Sequence, residues 1–173
     1  MRGIASILAS AVILAVILAE IAAARAAPPI RIAVFPFELE DFSAGAASSP
    51  PDDIDREQLR LSTEEAHRLI AESGRYQLVD VGAVSDQAAK AGRLHDCEGC
   101  EASIAAGLAA DQSMIGIITR ISRTEYAVTY KIRNAGSGAL VDVEQTDLRI
   151  GANVAWSRGV RWLIQRRLLE RTQ

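Results

Sequence analysis

No cysteine stands near the end of the amino-terminal apolar run, and no proline lies beyond Pro51. None of the short motifs that announce a catalytic centre is present either. The first absence argues against a lipoprotein anchor. The second removes the cis-proline that usually faces a thioredoxin-like cysteine pair. G-x-S-x-G, H-E-x-x-H and a phosphate-cradling glycine loop are all missing, so hydrolase, zincin and nucleotide chemistry have no support. No internal repeat and no break in composition marks a second folded unit.

What is present begins with an address. Arg2 opens a short positive region, Gly3 to Ala19 is uncharged and apolar, and Ala24-Arg25-Ala26 has the form of an A-x-A cleavage site. This is the layout of a secretory signal peptide, with Ala27 as the first mature residue. The rival reading is an uncleaved anchor, but the run is short of the ~20 residues a span needs and Glu20 interrupts it. The expectation is therefore a cleaved leader over residues 1–26 and a single domain over 27–173, exported to the periplasm without a stable membrane anchor. That length suffices for a core of its own. Export and a formal charge of −3 leave nucleic acid an implausible partner.

The charge is unevenly spread. Residues 38–57 carry Glu38, Glu40, Asp41, Asp52, Asp53, Asp55 and Glu57 against Arg56 alone. Residues 158–173 carry five arginines against Glu170 alone. Either run is explained by solvation of a surface; together they also suit the steering of a protein partner. On that second reading the contact residues are Glu40, Asp41, Asp52 and Asp53 in the acidic loop, with Arg161, Arg166 and Arg167 in the basic end.

Periodicity orders the elements as β-α-β-α-α-β-β-β-α. Ile30 to Phe37 reads as a strand broken by Pro36. A helix is expected over Asp55–Ser73 with Gly74 as its stop, then a strand at Tyr76–Val81. Two short helices follow, one at Ser85–Gly92 and one at Cys97–Ala109. The nearly continuous apolar run Ser113–Ser122 suits a central strand covered on both faces. Tyr126, Val128, Tyr130 and Ile132 alternate with polar neighbours, and the loop Asn134–Gly138 can turn this strand into a hairpin with Leu140–Ile150. Apolar parity shifts along that last strand, which predicts a bulge near Gln145–Asp147. A helix over Asn153–Arg171 ends the chain, with Trp156, Val160, Leu163, Ile164 and Leu168 as its buried stripe. The fold class is α/β in the mixed α+β sense, one domain, with helices on a mixed five-stranded sheet.

Cys97-Glu98-Gly99-Cys100 is the one reactive arrangement. In an oxidising compartment a disulfide is the first reading. Redox thiols and a Zn site using His95 and one carboxylate are the alternatives. The neighbours Asp96, Glu98 and Glu101 weigh against an activated thiol, because nearby carboxylates raise its pKa. The cluster Asp52-Asp53-Ile54-Asp55 lacks the EF-hand glycine and terminal Glu, and helix capping explains it. Trp156 and Trp162 read as core and half-buried packing. No catalytic residue, cofactor or resident metal is expected.

Three segments carry a resemblance: Arg31-Ile32-Ala33-Val34-Phe35-Pro36-Phe37, then Leu69 to Asp80 with its Ser73-Gly74-Arg75-Tyr76 helix stop, then Ile104 to Asp111 leading into Ile115-Gly116-Ile117-Ile118. Over these the chain resembles the secreted α/β domains of Gram-negative bacteria related to the TolB amino-terminal domain and to the curli-secretion and penicillin-binding-protein-activator lipoproteins. More narrowly it resembles a domain-of-unknown-function family of small exported proteins, associated with gene neighbourhoods of quinoprotein alcohol dehydrogenases. The resemblance implies a non-catalytic periplasmic accessory domain that binds another envelope protein. A small thiol-redox or metal-handling protein built on Cys97 and Cys100 is the alternative.

Overall fold

The apolar run after Pro29 becomes the middle of a sheet. A computed structural model describes residues 28–43, 51–122, 124–148 and 155–171. The expected leader and its cleavage site lie outside the described residues. Strand β1 (Ile30–Val34) pairs in parallel with β3 (Tyr76–Val79) on one side and with β4 (Gln112–Arg120) on the other. Strand β4 continues into an antiparallel meander through β5 (Tyr126–Asn134) and β6 (Leu140–Leu148).

Among the described residues the sheet has six strands where five were expected. The extra one, β2 (Glu38–Asp41), runs parallel to the second half of β4, with Glu38 opposite Ile117. Pro36 supplies the reason. It has no N–H for the ladder, and the Phe37 N–H beyond it donates to the Thr63 hydroxyl at 2.9 Å. The chain thus leaves β1, steps along β4 and resumes pairing. The break suggested by the sequence is an offset, not an end.

Helix α1 (Asp53–Glu72) starts with a reciprocal capping box: the Asp55 N–H donates to Asp52 at 2.8 Å and the Asp52 N–H to Asp55 at 3.4 Å. Gly74, at φ +66°, turns the chain into β3. The two short helices are α2 (Ser85–Ala91) and α3 (Cys100–Gly107). The latter begins three residues later than its apolar pattern implies, because Gly99 takes φ +101° and breaks helical geometry. Helix α4 (Trp156–Leu163) continues through π-helical turns over Ile164–Leu169.

Two cores result. On one face Ile32, Met114, Ile118, Val128 and Tyr130 meet the apolar stripes of α1 and α4. On the other Ala33, Phe35, Ile115 and Ile117 meet Ile104 and Ala105 of α3. Gly116 in β4 is required by the offset at Pro36, since a Cβ there would overlap the buried Phe37 ring. Gly116→Ala is expected to destabilise the domain by about 1–3 kcal/mol. A chemical denaturation midpoint unchanged from the parent would show that Phe37 can move aside.

The bulge expected near Gln145–Asp147 is not there. The register slips instead at the hairpin end, where Arg133 faces Leu140, Ile132 faces Asp142 and Val141 is skipped. Val141 and Val143 are half-exposed, whereas Asp142, Glu144, Thr146 and Leu148 alternate toward the helix-covered face. The parity shift comes from apolar valines on the outer face, and from Val141 onward the alternation is unbroken. Local partners make this tolerable. The Tyr130 hydroxyl donates to Asp142 at 2.8 Å, and Arg171 donates to Asp142 at 3.2 Å and Glu144 at 2.8 Å.

Candidate functional site

Strand β6 is the last in the sheet order, and among the described residues no strand pairs with its outer side. Its nine residues contain neither lysine, arginine nor proline, and its charged residues are Asp142, Glu144 and Asp147. Leu140, Val141 and Val143 are 50, 52 and 45% exposed. Unpaired backbone groups and exposed apolar side chains here share one border of the sheet.

That border runs into a cleft of about 270 Å³ whose walls include Val141, Asp142, Arg75, Tyr76, Arg167 and Arg171. Arg75 donates to the Leu168 carbonyl at 3.0 Å, which ties the end of α1 to the π-helical turns. Arg167 lies 5.8 Å over the half-exposed Trp162 ring, and among the described residues it has no carboxylate partner. Burial pushes the Tyr76 phenol up, so it keeps its O–H at neutral pH. Three arginines against one aspartate give the cleft an excess of positive charge. A second cleft, of about 370 Å³ and mostly apolar, lies between Phe35 and α2.

The charged residues singled out from sequence fall into two groups. Glu40 accepts from Thr119 at 3.2 Å, Asp41 binds Arg120 at 2.8 Å, and Asp52 caps α1. These three serve the fold directly. Asp53 and Arg56 pair on the surface, Arg161 reaches Glu65 at 2.5 Å, and Arg166 reaches Glu170 at 2.7 Å. The exposed pairs Asp53–Arg56 and Arg166–Glu170 contribute little to stability, whereas Arg161 binds a Glu65 that is mostly buried. Arg167 is the member of the set that the fold brings to the β6 border.

Cys97 and Cys100 are bonded to one another, with their Cα atoms 5.7 Å apart at the start of α3. His95 does not join them. Its side chain is buried against Glu38, Nδ1 to Oε2 at 2.5 Å, and the same carboxylate accepts the backbone N–H groups of Leu94 at 2.7 Å and His95 at 3.0 Å. The residue beside the sulfurs is Glu101, which is 1% exposed. From the sequence Glu101 was one of three carboxylates beside the cysteines, and nothing local marked it as the one enclosed with them.

The sequence model of one family, described as protein of unknown function (DUF2380), matches residues 30–168. The chain belongs to the DUF3280 family. No curated protein matches it in sequence. Among solved structures this DUF3280 domain is similar to the lipoprotein GNA1162 from Neisseria meningitidis. The identity is 15% over 72% of this chain and 84% of that one, at a TM-score of 0.50. The LpoB C-terminal domain from Salmonella enterica shows 13% identity over 72% of this chain and 86% of that one, TM-score 0.48. TolB from Acinetobacter baumannii shows 12% over 79% of this chain and 27% of that one, TM-score 0.48. The resemblance drawn from the sequence thus holds for family and fold. At these identities the likeness concerns fold alone.

Proposed function

We propose that this DUF3280 chain is a non-catalytic accessory domain of the periplasm that binds another envelope protein by its β6 border. The open edge of β6, with Val141 and Val143 exposed along it, carries this reading. An extended partner segment can add there as a further strand, with Val141 and Val143 as apolar contacts. The neighbouring cleft, with Arg75, Arg167 and Arg171 against Asp142, suits an acidic side chain of that segment. Cleavage of the leader at Ala26 frees the domain, and the basic helix end around Arg161 and Arg166 steers the approach. The gene-neighbourhood association makes a component of a quinoprotein alcohol dehydrogenase system the first partner to try.

The test is affinity capture from periplasmic extract with the full chain tagged at its carboxyl end, at low and high salt. Val143→Lys and Arg167→Glu variants run beside it. Both positions are exposed, so the variants should melt as the parent does. The expected result is a stoichiometric partner held by the parent at low salt and lost by both variants. A partner retained equally by both variants, or none at low salt, overturns the reading.

A further inference from the structure

The surroundings of the cysteine pair are more specific than a structural bridge requires. Glu101 Oε2 is buried without any hydrogen-bond partner. A ligand oxygen of this carboxylate and the two sulfurs all lie within 4.8 Å of one another. Arg133 Nε is 3.0 Å from the other oxygen but is not aligned to donate to it, while its Nη1 donates to the Gly138 carbonyl at 3.0 Å. An orphaned carboxylate oxygen in the interior is costly, and the side chain that carries it stands beside the two sulfurs.

We infer that the reduced protein binds one Zn²⁺ through Cys97, Cys100 and Glu101. Two thiolates and a carboxylate are a regular donor set for a borderline-soft divalent ion. Ligand atoms in a tetrahedral site with Zn–S bonds of ~2.3 Å stand about 3.8 Å apart, so the two sulfurs, now bonded, separate on reduction while the carboxylate is already within reach. Charge selects the valence: three anionic ligands with Arg133 nearby are balanced by a divalent ion and left negative by a monovalent one. Both cysteines are partly exposed, so the ion can enter and water can complete the coordination. A carboxylate beside the sulfurs, in place of the positive charge that activates a thiol, separates this site from a thioredoxin-like one.

Entry requires the sulfur–sulfur bond to open. A dithiol reductant gives it two electrons and two protons and becomes a disulfide itself, leaving two thiols on the chain. Zn²⁺ then displaces both thiol protons to solvent. The disulfide and the metal are alternative occupants of one site.

The experiment uses the protein as purified from its producing cell, in oxidised form and after reduction with a phosphine that is then removed. Zn²⁺ is titrated against a chromophoric chelator, and Co²⁺ is added in parallel to read sulfur-to-metal charge transfer. The reduced parent should bind one ion per chain with a thiolate–Co²⁺ band, and the oxidised parent none. Glu101→Gln should weaken Zn²⁺ by at least tenfold, the lower limit for losing even a group that only supports a ligand. Glu101→Asp, which keeps the charge, should recover part of the affinity. The oxidised variants report folding by circular dichroism, and Glu101→Asp alone decides if Glu101→Gln does not fold. No ion on the reduced parent, or an affinity indifferent to both substitutions, overturns the inference. Neither outcome bears on the β6 border, which shares no residue with this site.

Discussion

Trp156→Ala is expected to destabilise the domain by about 3–5 kcal/mol, the range for emptying a large buried aromatic site. Trp156 is fully enclosed at the start of α4 and tilts against the Tyr126 ring, centroid to centroid 5.7 Å. It belongs to the core that joins α1, α4 and the sheet. Its loss would therefore loosen the helix that also carries Arg167. Trp156→Phe should cost distinctly less, because it removes the indole N–H, buried without a partner, together with the volume. Urea unfolding followed by circular dichroism reads both. A loss below about 1 kcal/mol for the alanine variant would mean that the site collapses around the gap.

The second large effect belongs to Arg120. It donates to Asp41 at 2.8 Å, pairs with Asp55 and lies 5.6 Å over the Tyr126 ring. Arg120→Ala leaves two poorly solvated carboxylates facing each other. The expected loss is about 3 kcal/mol, the low end for a broken buried pair because Asp41 and Arg120 keep some solvent. The effect has a pH signature. Burial alone would raise the Asp41 pKa, but hydrogen bonds from Ser43 and Arg120 outweigh it and hold the carboxyl below its usual value. A carboxyl depressed in the folded state contributes stability that is complete above the unfolded value of about 4. That contribution is lost as pH falls through the folded value. Melting temperatures of the parent should drop on acidification below about pH 4, and the Arg120→Ala variant should show a shallower drop. Parallel curves would place the acid sensitivity elsewhere, for example at Glu65, whose carboxyl Arg68 and Arg161 also hold down.

Where the sequence was legible, a local rule was strong. The α1 capping box, the glycine stop at Gly74 and the alternation of β5 each follow from residues within one or two turns of one another. Where it was not, a long-range partner decided. Pro36 looked like the end of a strand, and only the distant Thr63 hydroxyl and the β4 edge show it to be an offset. Val141 and Val143 share one parity and Leu148 the other, which looked like a bulge, and only the register with β5 and the reach of Arg171 show the valines turned outward.

The candidate sites divide in the same way. Spacing alone allowed a bond between Cys97 and Cys100, but His95 stood as near in sequence as Glu101 did. Glu38, fifty-seven residues upstream of His95, takes it away through two hydrogen bonds to His95 and a third to the Leu94 N–H. The cleft at the β6 border joins residues from the end of α1, from β6 and from the last turns of the chain.

By itself the sequence determined the family, the class of fold, the order of nearly every element and the absence of a recognised catalytic motif. These are properties of hydrophobic period, caps and short motifs, written within a few residues of each position. Tertiary structure decided the sixth strand, the outward face of β6, the enclosure of Glu101 and the company of Arg167. Each of these depends on which distant atoms arrive beside a residue, and burial and charge pairing are set only once the sheet has closed.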